Sequence, residues 1–136
     1  MRRTFLGLLL VAASVSLGAS PLASEPPRLD GTWGGDRIRL AASGGEVEIQ
    51  IECLKARTEE PIALDARGAF VVHLRFQPIR GANLEGDELR EPARVSGRVE
   101  GEVLRLEVGP AGIEGAGTYV LKRGQAAKLP NCRLRG

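Results

Sequence analysis

One histidine, His73, and two cysteines, Cys53 and Cys132, are all the imidazole and thiol chemistry in this chain. A structural zinc site takes four ligands, mostly Cys and His, so these three residues would have to be gathered by the fold and joined by a carboxylate. His73 alternates out of phase with Phe70, Val72 and Leu74, which turns it to solvent beside Arg75 and gives it no second imidazole to work with. Carboxylates are plentiful, but hydrolysis of the glycosidase kind needs two in one cleft, in environments that push their pKa values apart. Nothing in the spacing of Glu59, Glu60 and Asp65 sets up such a pair. Asn83, Glu85, Asp87 and Glu88 have the spacing of a calcium loop, yet the sixth position, which requires glycine, is Glu88, and Gly86 comes too early. Ser43 falls in a turn and Ser96 on a strand, neither within Gly-x-Ser-x-Gly. The residues thus imply no catalytic centre, no metal and no cofactor.

The N-terminus gives an address. Met1-Arg2-Arg3-Thr4, a mostly apolar run from Phe5 to Leu17, and then small residues have the layout of a secretory signal peptide over residues 1–24. Cleavage is expected between Ala19 and Ser24, with Ser24 favoured. The apolar run is shorter than the ~20 residues of a membrane-spanning helix, and no Cys lies near the cleavage site to carry a lipid. The expectation is therefore an exported chain, periplasmic or secreted, that does not span a membrane.

Removal of the signal would leave residues 25–136 as one domain of 112 residues, and would take Arg2 and Arg3 with it. Seventeen basic groups then face 17 acidic ones. This balance argues against nucleic acid as a partner, because phosphate backbones select a concentrated basic patch. The acidic run Glu85, Asp87, Glu88 and Glu91 and the basic end Lys128, Arg133 and Arg135 are local exceptions of the kind usually found on solvated loops and tails. An oxidising compartment would let Cys53 and Cys132 form one bridge. Two free thiols or a metal site are the alternatives.

The elements that must position these groups read as strands. Ile38, Leu40 and Ala42 alternate with Arg37 and Arg39, and Val47, Ile49 and Ile51 with Glu48, Gln50 and Glu52. With Gly44-Gly45 as a two-residue turn, Ala42 faces Val47, Leu40 faces Ile49, Ile38 faces Ile51, and Arg37 faces Glu52. A second hairpin, with Ala66-Arg67-Gly68 as its loop, would set Leu64 against Phe70 and Ile62 against Val72. A third, around Glu100-Gly101, would pair Val95 with Leu106, Ala93 with Val108 and Arg94 with Glu107, although Glu is a poor first turn residue. Residues 116–122 read as a late strand and 128–134 as a short closing one. Pro78 to Pro92 is a long Gly- and acid-rich connection.

The first strand opens with Asp30-Gly31-Thr32-Trp33, where a Trp can cap the open end of a barrel. Gly31-Thr32-Trp33 resembles the Gly-x-Trp signature of calycin barrels, the group that holds lipocalins, avidins and fatty-acid-binding proteins. The resemblance implies a basic residue on the last barrel strand packed over Trp33, a place that falls here to Lys122 or Arg123. The chain departs from lipocalins in lacking a Thr-Asp-Tyr segment and in its short length. Its Trp33, Phe70, Phe76 and Tyr119 are too few for the biotin pocket of avidins. Trp33-Gly34-Gly35, Cys53 ending the second strand, the late Gly-x-Tyr-x-Leu-x-Arg-Gly strand and the near-terminal Cys132 also resemble small exported bacterial proteins of unassigned function.

The reading is an all-β protein, an antiparallel meander of about eight strands closed into a small calycin-like barrel, with a β-sandwich as the alternative. Trp33, Leu40, Ile51, Phe70, Leu74 and Leu106 are the expected lining. Such a lining favours an apolar guest, and a barrel filled by its own side chains would favour a partner on its outer surface. The expected function is that of a monomeric, non-enzymatic binding protein for a small apolar ligand or an envelope protein. The alternatives are a periplasmic inhibitor or accessory protein, and a carboxylate-based hydrolase using Glu59, Glu60 or the 85–91 cluster.

Overall fold

Alternation of apolar and charged residues becomes strand after strand. In a computed structural model of the protein, residues 26–79 and 91–132 are described; the signal segment and the acidic group Asn83, Glu85, Asp87 and Glu88 lie outside them. The strands are β1 (Gly31–Gly35), β2 (Ile38–Ser43), β3 (Glu46–Ile51), β4 (Leu54–Thr58), β5 (Ala69–Leu74), β6 (Gln77–Pro78), β7 (Ala93–Glu100), β8 (Val103–Gly109) and β9 (Gly117–Arg123). No α-helix occurs among the described residues. The nine strands form one antiparallel sheet in the order β5-β7-β8-β9-β1-β2-β3-β4-β6, which curls through 261° as a half-barrel.

The concave side collects the apolar parity of each strand. Trp33, Ile38, Leu40, Ile49, Ile51, Val95, Leu104 and Leu121 are fully buried at 0% exposure, and Phe70, Leu74, Phe76 and Leu106 join them in one cluster. Burial of such side chains contributes about 1.5–3 kcal/mol each, the main force holding the curl.

The first hairpin has the register its turn dictates: Ala42 faces Val47, Leu40 faces Ile49 and Ile38 faces Ile51. Arg37 and Glu52 sit just past its far end, on the neighbouring turns. Their side chains pair at 2.9 Å, and the Glu52 amide donates to the Arg37 carbonyl at 2.8 Å. Both carry positive φ, 66° and 51°, so these two turns clasp each other where the backbone is least relaxed.

Two hairpins differ from the sequence expectation. Residues 62–64 do not pair back onto β5. The Leu29 amide donates to the Ile62 carbonyl at 2.8 Å and the Leu64 amide to the Pro27 carbonyl at 2.7 Å, with an isolated bridge between Arg28 and Ala63. The leader thus takes the pairing expected of Phe70 and Val72, and β5 turns to β7, where Phe70 faces Gly97 and Val72 faces Val95. In the third hairpin Val95 faces Val108 and Gly97 faces Leu106, two residues from the expected register. The turn is Gly101-Glu102, which puts a glycine at φ 60° in the first turn position in place of Glu100. A shift of two leaves every side chain on its expected face. Of the segment 128–134 expected as a closing strand, residues 128–132 are described, and among them Lys128 makes one isolated parallel bridge, with Asp36.

Candidate functional surface

Trp33 lies inside the end of the barrel where β1 begins. Its indole Nε1 donates to the Asp30 carbonyl at 2.8 Å, and the Arg123 guanidinium stacks 4.3 Å from its ring centre. Of the two basic residues expected there, it is Arg123, directly opposite Trp33 across β9 and β1, that covers the ring. Asp30 and Glu102 each approach this guanidinium at 3.5 Å, so the charge over the ring is held from two sides.

The six residues expected to line a ligand cavity do converge, but in a packed interior. An enclosed space wide enough for water would leave accessible surface on its walls, and Trp33, Leu40 and Ile51 have 0% and Leu106 1%. Phe70 at 6% and Leu74 at 7% sit toward the side where the sheet does not close. Phe70 fits because its partner is Gly97, whose missing side chain leaves the seat for the ring.

Cys53 and Cys132 are bonded, with 5.5 Å between their Cα atoms. The bridge anchors a tail that follows β9 back along the outside of β1: the Lys128 amide donates to the Gly35 carbonyl at 3.1 Å and the Arg37 amide to the Lys128 carbonyl at 2.8 Å. Gly34 faces this tail, and a methyl group on it would collide with the Gln125 carbonyl. The sequence shows Gly34 but not the chain segment that needs it.

The opposite flank is open. β5 and β6 are the two ends of the sheet order, and the stretch that joins them crosses over: residues 69–74 pair with β7, whereas Gln77 and Pro78 pair with β4 at Lys55 and Leu54. Between β4 and β5 lies a cleft of about 660 Å³ whose rim carries Lys55, Arg57, His73 and Arg75. Lys55 and Arg57 also pair with Glu48 and Glu46 on β3, at 3.3 and 2.8 Å, and the Glu46 carboxylate raises the Arg57 pKa. No signal of hydrophobic alternation announces this cleft, because β5 and β6 read as one run of strand-like residues.

The titratable candidates lie at the surface. His73 is exposed on β5, and Glu59 and Glu60 are exposed beyond β4. The Asp65 carboxylate accepts from the Ala69 and Arg67 amides at 2.9 and 2.8 Å, and those bonds hold its pKa below the usual carboxylate value. It is a turn staple. Among the described residues no three His, Cys, Asp or Glu side chains are grouped to hold a metal, and no helix is long and apolar enough to cross a membrane.

Fold and surface together define an all-β half-barrel with a filled interior, one disulfide and one open seam. Compared with protein-family models, with curated proteins and with solved structures, the chain gives no match.

Proposed function

We propose that this chain is an exported, non-enzymatic binding module that meets a protein partner with its outer surface and stores no apolar guest inside. The observation that carries this reading is the filled core: Trp33, Leu40 and Ile51, the expected centre of a ligand lining, have no accessible surface. A small barrel filled by its own side chains has only its rim and outer face to offer a partner. The disulfide fits an oxidising compartment. The exposure of His73, Glu59 and Glu60 supports the non-enzymatic part, since acid–base catalysis works best where its side chains are held in a site that excludes water.

The test combines three measurements on the purified chain. A hydrolase screen is expected to show no turnover, and turnover abolished by replacing Glu59, Glu60 or His73 would refute the reading. Exposure to extracted lipids and an apolar dye is expected to give no stoichiometric uptake; uptake would return the function to ligand carriage. Immobilised chain is expected to retain a defined envelope protein at a saturable ratio.

A further inference from the structure

We infer that the seam between β4 and β5 is a docking site for an extended, acidic segment of another polypeptide, which adds a strand to the free edge of β5. This names the site and the partner chemistry for the protein-binding reading above, and it rests on that reading.

The argument starts from the backbone. The Ala69 carbonyl accepts from the Asp65 amide at 2.9 Å, and the Ala69 amide donates to the Asp65 carboxylate at 2.9 Å, so both groups of Ala69 point away from β7. The direction alternates along an antiparallel pair, and the amides and carbonyls of Val71 and His73 therefore point the same way, into the seam. β5 ends the sheet order, and among the described residues neither has a hydrogen-bond partner on that side. The other bank repeats the pattern. The Ile79 amide donates to the Cys53 carbonyl at 2.7 Å, and the Lys55–Gln77 pair follows, so the next residue in phase, Arg57, also turns its backbone groups to the cleft, beyond the reach of the two-residue β6. Backbone donors and acceptors of this kind are the groups that an incoming strand satisfies.

Side chains choose the occupant. Lys55, Arg57, His73 and Arg75 rim the cleft, with Leu74 and Ile79 as its apolar part. Val71, on the free edge, is 52% exposed. The side chains of Lys55 and Arg57 remain 47% and 57% exposed while paired to β3, so each has donors left for a further carboxylate. A second copy of this chain would bring the same cations against each other, whereas an extended segment alternating acidic and apolar residues meets cations on the rim and apolar atoms within.

The probe is a fluorescent hexapeptide of alternating glutamate and valine, titrated with the full purified chain and read by anisotropy. It is expected to bind about tenfold more tightly than the lysine–valine peptide, and to lose binding when every backbone nitrogen of the peptide is methylated, which keeps its charge and removes its donors. Val71→Pro, which deletes an amide facing the seam and leaves the β7 ladder intact, is expected to weaken binding about tenfold. Equal binding of both peptides, or binding that survives methylation, overturns the proposal with the unaltered protein and does not depend on how the variant folds. Self-association that excludes the peptide overturns it in favour of a second copy. If the acidic peptide fails to bind while immobilised chain still retains an envelope protein in its presence, the seam proposal falls and the partner reading stands; if neither is retained, both fall.

Discussion

The flank where β9 meets β1 and the flank where β4 faces β5 are built from the same kinds of strand, yet one is sealed in several layers and the other is left unzipped. On the sealed flank Trp33 lies under Arg123, and a disulfide-anchored tail runs over Gly34. On the unzipped flank a single run of residues serves β7 with its first half and β4 with its second, so neither pairing extends along the whole edge. The difference teaches that closure here depends on what lies outside the sheet as much as on the ladder itself. Gly34 makes room for a covering segment. Among the described residues Arg57 and Val71 have none.

The largest expected effect tests the sealed flank. Trp33→Ala removes a side chain with no exposure and strips Arg123 of its ring, and should cost about 3–5 kcal/mol in denaturant unfolding; a loss below about 1 kcal/mol would mean that this end is not held by the indole. Cys53→Ser opens a bridge that closes a separation of 79 residues and should cost about 2–5 kcal/mol. Intact mass before and after reduction checks the bond directly, and alkylation of both thiols without reductant would refute it.

A matched pair sharpens the contrast. Gly34→Ala puts a methyl group into the Gln125 carbonyl and should destabilise by about 1–3 kcal/mol, as overpacking does. Val71→Thr, on the open edge, should stay within about 0.5 kcal/mol of the parent. Equal losses would erase the distinction between the flanks.

The smallest effects are in pH. Tyr119, the only tyrosine, donates to the Gly115 carbonyl at 2.7 Å, and burial raises its pKa, with Arg37 opposing and Glu52 adding. Its contribution is present below the unfolded value of about 10 and is lost as pH rises through the folded one; an ultraviolet titration should show phenolate appearing later in the folded chain than in denaturant. Asp65 behaves in the opposite sense. Its folded pKa is lowered by the Ala69 and Arg67 amides, so its contribution is present above the unfolded value of about 3.9 and fades as pH falls through the folded one. Asp65→Asn should flatten stability in that acid range and leave the alkaline limb unchanged.

The legibility of the sequence follows the same division. The Gly44-Gly45 turn fixes a register because the two glycines leave one way to pair, and Arg37 beside Glu52 is its visible consequence. Parity survives even where register does not, so Leu104 and Leu106 face inward although the third hairpin turns at Gly101-Glu102. Competition between distant segments is what a local pattern cannot rank. Residues 62–64 suit β5 by alternation, yet pair with Pro27 and Leu29, and nothing near residue 64 announces that rival. Of the candidate site, the disulfide was legible from residue types, and the cation over Trp33 only through the resemblance of Gly31-Thr32-Trp33 to the calycin signature, which left Lys122 and Arg123 both open. The seam was not, because it arises from where a run of strand-like residues changes neighbour.

Asp30 and Arg123 are 93 residues apart in the chain, and the strands they flank, β1 and β9, meet in the interior of the sheet order, where neither is an edge. A chain threaded from its N-terminus therefore presents β1 first and its partner nearly last. Until β9 arrives, β1 has hydrogen bonds on one side only and Trp33 has no cover, so a partly made chain cannot complete the fold. Joining segments this distant carries a loop-closure cost that slows folding. That delay leaves the first strand exposed on one side for most of the folding reaction, so the order of the chain and the order of closure run opposite ways.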